Sequence, residues 1–311
     1  MLSAKHPIRW QVVLAFALVY IFWGSTYLGI RIAVEQIPPL LMTGTRFLVA
    51  GALMLLWCAV SGRRMRMSAG DAVRLAVIGA LLLSIGNAAL SWAEQWVPTG
   101  LAALIVSITP LWILVLESTV FPGEHHVSRR ALVGLVFGAS GILVLLWPQL
   151  RQTSALGRRE LEGSAVLLCG SLSWAFGSVF SKRWKLDVDS FTSAGYEMLF
   201  AGALNVFIGS MLGDWSRAVW SRRGVGAVIY LVIFGSWVGY SAYIWLLNHV
   251  PITKVSTYAY VNPVVAVFLG WLVLREQITG YIVVGSVVIL VAVALVTGSK
   301  LRPRAAAIEP I

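Results

Sequence analysis

Phe47-Leu-Val-Ala-Gly-Ala-Leu53 and Met198-Leu-Phe-Ala-Gly-Ala-Leu204 share a leucine and the run Ala-Gly-Ala-Leu at an offset of 151 residues. Small apolar residues coincide often in a greasy chain, so the pair gains weight only from its register. Trp23 and Trp174, and Arg31 and Lys182, fall at the same offset. Gly86, Trp92, Pro98 and Pro110 match Gly239, Trp245, Pro251 and Pro263 at an offset of 153. Tryptophan, proline and charge matching in register mark an internal repeat. The chain therefore divides into a first half, 1–150, and a second, 151–311.

The 311 residues are 59% hydrophobic and 12% charged, with a mean hydropathy of +0.83. A soluble domain carries roughly 25% charged residues to face water, so the surrounding solvent here is lipid. About 20 apolar residues cross a bilayer as a helix. The hydropathy pattern predicts spans near 11–33, 39–60, 70–92, 98–121, 129–147, 163–184, 191–212, 225–247, 252–274 and 279–298. Pro38-Pro39, Gly62-Arg63-Arg64, Pro98, Pro251 and the polar stretch from Pro148 to Gly163 supply the breaks. The first apolar segment is too long for a signal-peptide core and is expected to stay as a span. The fold class is thus an all-α membrane protein of ten transmembrane helices. Five spans per repeat is an odd number, so the second repeat enters the membrane upside down. Secondary transporters use such inverted repeats to rock one half against the other around a midplane site.

The net charge of +11 reads as topology rather than nucleic-acid binding. With a cytoplasmic N-terminus, 15 of the 24 Lys and Arg fall on the inner side and 7 on the outer, with Arg31 and Arg46 inside spans. That bias favours both termini inside. Cys58 and Cys169 fall near opposite faces, so no disulfide is expected.

Trp23-Gly-Ser-Thr-Tyr27 with Arg31 and then Arg46-Phe47, together with Trp245 to Lys254 and Tyr260-Val-Asn-Pro-Val-Val-Ala-Val-Phe-Leu-Gly-Trp-Leu-Val-Leu-Arg-Glu276, resembles the EamA-type transporters of the drug/metabolite transporter superfamily. The resemblance runs over nearly the whole chain. One small departure is the proline-to-glutamate interval, 14 residues from Pro110 to Glu124 and 13 from Pro263 to Glu276. The resemblance implies an exporter of small metabolites, with neutral and aromatic amino acids as the substrates most in keeping with it. It also implies residence in a bacterial inner membrane.

Pro110 and Pro263 sit near the centres of their spans. Each lacks an N–H and frees the carbonyl four residues earlier, Val106 or Ala259, so each is a candidate hinge. Ser84, Asn87, Ser91 and Glu94 form one stripe on an ideal helix and face protein or water rather than lipid. They serve either as a pathway wall or as interhelical glue. Aromatics at span ends, such as Trp10, Trp96, Trp147 and Trp220, anchor the interface. Trp23, Trp174, Tyr240, Tyr243 and Tyr260 lie deeper, where a flat face with a polar handle suits an amphipathic solute. With Ser25, Asn87, Ser91, Trp92 and Asn262 they make up the candidate substrate site, set against ordinary helix packing. The first, third, fourth, sixth, eighth and ninth spans are expected to line it, with the fifth and tenth at the periphery. Arg46 and Glu197 are related by the repeat and lie at different depths, so no contact between them is expected. They are candidates for carboxylate attraction and proton holding. Arg31 and Glu35 are spaced as an i,i+4 pair.

No Gly-x-x-x-x-Gly-Lys-Ser/Thr loop is present, so ATP is not the direct energy source, and no cofactor is expected. His125-His126 lacks the spacing of a helical zinc site. A lipid-modifying enzyme would need a cluster of nucleophile, base or metal ligands that the sequence does not show. A channel would need rings of like residues around an oligomeric pore, whereas this chain carries its symmetry within itself and is expected to act as a monomer. Its expected partners are a small-molecule substrate and the bilayer.

Overall fold

A computed structural model describes residues 9–120, 125–126, 129–151, 154–297 and 302–303. Ten long helical rods run back and forth through it: α1 Arg9–Val34, α2 Pro39–Val60, α3 Ala69–Ala93, α4 Thr99–Thr119, α5 Arg129–Arg151, α6 Ala155–Arg183, α7 Ser190–Met211, α8 Arg222–His249, α9 over 252–274 and α10 Gly280–Thr297. By length and composition, seven of them (α1 to α6 and α8) can cross a membrane. α9 and α10 contribute the shorter apolar stretches Val261–Leu274 and Gly280–Leu295. α7 has the length of a span, but its first two turns carry Ser190, Thr192, Ser193, Tyr196 and Glu197. The outward surface is aliphatic, with Val60, Met211, Val13 and Phe207 all largely exposed. Such a surface suits lipid.

The repeated Ala-Gly-Ala-Leu segments meet each other. α2 and α7 make the most extensive helix contact in the molecule, and α5 with α10 the next. A Cβ on Gly51 would lie 2.7 Å from the Leu199 nitrogen, and one on Gly202 would lie 2.4 Å from the Leu48 nitrogen. Gly44 and Gly195, the repeat-related pair one heptad earlier, are equally tight against α7 and α2. Only glycine lets two backbones approach so closely, the small-residue packing that drives helix association in lipid. The pseudo-two-fold relation between the halves passes through this crossing.

Three helices depart from α-geometry where they approach the centre. Val19–Trp23, Ala80–Asn87 and Leu231–Tyr240 are π-helical. Such widened turns loosen the backbone ladder and are frequent at functional sites. In α4 the helix breaks at Ser107–Ile108, just before Pro110, and the carbonyl of Val106 accepts from Thr109 Oγ1 at 2.7 Å. A hydroxyl thus re-satisfies the group that proline freed. In α9 the break falls at Ser256–Thr257, and Pro263 lies inside the continuous helix beyond it.

Two expectations need correction. The described residues of the stretch from Pro148 to Gly163 are mostly helical: α5 continues through Pro148 to Arg151, and α6 begins at Ala155, eight residues early. Arg158, Arg159, Glu160 and Glu162 thus lie on α6. Ser154 caps α6 by accepting from the Gly157 N–H, while Arg151 and Arg159 lie over the rings of Trp147 and Trp96. Arg31 and Glu35 do not pair. Arg31 donates to the Glu94 carbonyl, and Glu35 faces Arg223 at 3.5 Å. A small addition to the all-helical picture is a two-residue antiparallel pairing of His125–His126 with Arg302–Pro303. Both cysteines are free, Cys58 buried and Cys169 exposed.

Candidate functional site

The repeat-related tryptophans build the centre. Trp23 and Trp174 meet edge to face, with ring centroids 5.5 Å apart. Each is received by a glycine of the other half: a Cβ on Gly239 would lie 2.7 Å from Trp23, too close for a side chain, and one on Gly86 would lie a tight 3.1 Å from Trp174. Tyr243 and Tyr258 complete the cluster at 4.8 and 5.4 Å from Trp23. Every polar tip is engaged. Trp23 Nε1 donates to the Gly235 carbonyl in the π-segment of α8 at 3.0 Å. Trp174 Nε1 donates to the Tyr243 hydroxyl, which also bonds Ser178 at 2.6 Å.

Beside this cluster lies a small cavity of about 60 Å³, room for a few waters. Its walls come from both halves: Trp23, Thr26 and Tyr27 of α1, Arg46 and Phe47 of α2, Asn87 of α3, Ser171 and Trp174 of α6, Tyr240 of α8, and Tyr258 and Asn262 of α9. α5 and α10 contribute nothing and pack on each other. Among the expected site residues, Trp23, Asn87, Trp174, Tyr240 and Asn262 line the cavity, and Tyr243 packs directly behind Trp23 and Trp174. The side chain of Tyr260 lies outside the described residues.

Three expected members lie elsewhere. Ser25 turns toward α8 and shares a 2.5 Å hydrogen bond with the Tyr230 hydroxyl. Ser91 is buried and donates back to the Asn87 carbonyl at 2.9 Å. Trp92 stacks edgewise on Trp96 in a separate cleft at the Pro38 end of the molecule. For the α3 stripe the π-helical turn supplies the reason. An eight-residue π-segment in α3 shifts the angular register, so the stripe drawn on an ideal helix splits. Ser84 bonds the Ala201 carbonyl of α7, while Asn87 faces the cavity. α2 also joins the lining, contrary to expectation, through Arg46 and Phe47. Thr26, Tyr27, Phe47 and Ser171 carried no warning, because such residues are ordinary in apolar spans.

Two buried charged residues stand at or behind the cavity wall: Arg46 lines it, and Glu197 lies behind the lining residue Tyr240. Arg46 is buried, donates from Nε to Ser236 Oγ at 2.7 Å and from Nη1 to Asn87 Oδ1 at 3.4 Å, and stacks over Phe47. Glu197 is buried. Its Oε2 accepts from the Tyr240 hydroxyl at 2.6 Å, while Oε1 has no partner. Among the described residues neither forms an ion pair. The Asn262 side-chain oxygen, also buried, is unpartnered as well.

At the periphery the repeat recurs in helix ends. Arg31 donates to the carbonyl of Glu94 at the end of α3. Its counterpart Lys182 donates to the carbonyls of Leu247 and Val250 at the end of α8, at 2.7 and 3.2 Å. Positive charge at a helix C-terminus satisfies free carbonyls and the helix dipole. Glu276 does the opposite for α4, accepting from the Thr99 and Gly100 N–H groups at 2.8 and 3.1 Å. That contact ties the end of α9 in one half to the start of α4 in the other.

Inverted helical repeats, glycine-mediated packing at a pseudo-dyad and an aromatic cavity between the halves define a polytopic membrane protein of the secondary-transporter class. The comparisons agree. The EamA-like transporter family matches residues 10–147 and 161–298, and the chain belongs to that family. It is 39% identical to the uncharacterized inner membrane transporter YedA of Escherichia coli (strain K12), over 95% of this chain and 94% of that one. It is 24% identical to the uncharacterized transporter YoaV of Bacillus subtilis (strain 168), over 90% and 94%. A crystal structure at 21% identity superposes with a TM-score of 0.67, covering 93% of this chain and 96% of the other. That likeness supports the fold.

Proposed function

We propose that the protein is an exporter of neutral, zwitterionic amino acids with aromatic or large apolar side chains, working by alternating access in a bacterial inner membrane. One observation carries the reading: a guanidinium without an acidic partner, Arg46, opens onto a cavity otherwise walled by Trp23, Trp174, Tyr240 and Tyr258. A buried charge lacking a counter-ion is costly, and a substrate carboxylate supplies one with charge-assisted hydrogen bonds. In the conformation seen here the cavity admits only a few waters, so the halves part before the aromatic walls hold an apolar side chain and a few polar groups orient it. A nucleotide or sugar phosphate brings more negative charge than one arginine can meet. The termini lie in the cytoplasm on this reading, and Pro110 and Pro263 flex as the halves exchange access. The inner-membrane assignment draws on the name of the Escherichia coli relative. The test is uptake of tryptophan, phenylalanine and methionine into proteoliposomes, which must saturate and must fall when Arg46 is replaced.

A further inference from the structure

The repeat maps Arg46, which lines the cavity, onto Glu197, which stands behind the lining residue Tyr240, with the charge reversed. Arg46 and Glu197 are equivalent at the 151-residue offset, and Asn87 and Tyr240 at the 153-residue offset. The contacts are equivalent too: Arg46 donates to Asn87, and Tyr240 donates to Glu197. The same geometric pair is therefore built once around a cation and once around an acid. Both Asn87 and Tyr240 end a π-helical segment and form cavity wall. From the register of α2 on α7, with Leu48 beside Gly202 and Gly51 beside Leu199, Arg46 lies level with residue 204. Seven residues, about 10 Å along the axis, separate that level from Glu197.

The geometry points to a two-pole clamp for a zwitterion. The substrate carboxylate pairs with Arg46, and its ammonium donates to the Tyr240 hydroxyl oxygen, with the Glu197 carboxylate behind it supplying the counter-charge. This deepens the reading above and rests on it. The arrangement uses what ordinary packing leaves over. Glu197 Oε1 has no partner, and no Lys or Arg among the described residues pairs with this carboxyl. Lys182 and Lys185 share with Glu197 the lining of a pocket distinct from the cavity, and neither forms an ion pair with it. Lys182 is committed to backbone carbonyls. Opposite charges held apart in a low-dielectric site are each costly alone, and one zwitterion neutralises both. Glu197 acts through Tyr240 and is a positioning residue.

The experiment is equilibrium binding to the purified full chain in lipid nanodiscs, using three probes of equal ring size: phenylalanine, 3-phenylpropionate without the ammonium, and 2-phenylethylamine without the carboxylate. The expected result for the parental protein is at least tenfold tighter binding of phenylalanine than of either analogue. Glu197→Gln reduces the preference over 3-phenylpropionate to less than threefold while leaving 3-phenylpropionate affinity near parental, and Glu197→Asp restores part of it. Tyr240→Phe, which keeps the ring and the acid, lowers the same ratio if Glu197→Gln cannot be purified. Equal binding of phenylalanine and 3-phenylpropionate by the parental protein, or an unchanged ratio in both Glu197→Gln and Tyr240→Phe, overturns the two-pole clamp and leaves the amino-acid reading standing. Failure of all three probes to bind overturns the amino-acid reading and the clamp with it.

Discussion

At the scale of single residues, the proposed binding rests on Arg46. It spends Nε on Ser236 and one edge of Nη1 on Asn87, which fixes the guanidinium plane and leaves donors for a ligand. Arg46→Gln is expected to weaken binding of an amino-acid carboxylate by roughly ten- to a hundredfold, from about 1.5–3 kcal/mol for a hydrogen bond to a charged group. Arg46→Lys recovers only part of that loss, because a point charge cannot bond Ser236, Asn87 and a carboxylate in one plane. Isothermal titration with phenylalanine checks both, and equal affinity in the parental and Gln proteins would remove Arg46 from the site. The sequence exposed Arg46, Trp23, Trp174, Asn87, Tyr240 and Asn262 because charge, tryptophan and amide groups are costly or conspicuous inside an apolar span. It misplaced Ser91 because its stripe was drawn with a 3.6-residue period, which the π-segment in α3 breaks, whereas Ser25 and Trp92 were assigned without a facing argument and turn out to face α8 and a separate cleft. Nothing in composition or spacing announces a π-turn. Tyr27 and Phe47 stayed hidden for a different reason: only the tertiary packing separates a cavity aromatic from a core one.

At the scale of elements, the α2–α7 crossing carries the architecture. A Cβ at position 51 or 202 would meet backbone atoms of the facing helix at under 3 Å, and backbone cannot rotate away. Gly51→Val and Gly202→Val are each expected to destabilise by at least about 1–3 kcal/mol, the usual range for overpacking. Gly226 in α8 has nothing within 4 Å, so Gly226→Ala should be neutral or stabilise by up to about 1 kcal/mol. Thermal unfolding in detergent compares the three, and a valine at 51 that melts with the parental protein contradicts the close crossing. The same two segments were legible in the sequence because the small residues must recur wherever the pseudo-dyad brings backbones together. The α5–α6 connection was not legible. Arg158, Arg159 and Glu160 read as loop by polarity, yet they lie on the first turns of α6 beyond the apolar core, where Trp96 receives Arg159. The prolines make a second prediction at this scale. Pro110 follows a real break in α4, and Pro263 sits beyond one in α9. Pro110→Ala and Pro263→Ala should each slow transport more than they lower expression, and a double variant that transports at the parental rate reduces both prolines to static bends.

At the scale of the whole molecule, the halves form one unit rather than two domains. The cavity takes walls from both, each tryptophan seats on the other half's glycine, and Glu276 of one half caps α4 of the other. On the proposed reading, alternating access is a change in how the halves lean, with the central cluster as pivot. Orientation rests on the bias of basic residues toward one face. A cysteine at exposed position 158, in a background lacking Cys58 and Cys169, is expected to react with an impermeant thiol reagent in intact cells. Labelling that appears only after permeabilisation reverses the orientation. The central claim, transport of a neutral amphipathic amino acid through the inter-repeat cavity, is tested most directly by counterflow. Proteoliposomes preloaded with unlabelled tryptophan, phenylalanine or methionine should accumulate the labelled amino acid transiently and saturably, with Arg46→Gln abolishing the overshoot. Robust counterflow of sugar phosphates or nucleotide sugars, with none of these three amino acids, contradicts the account.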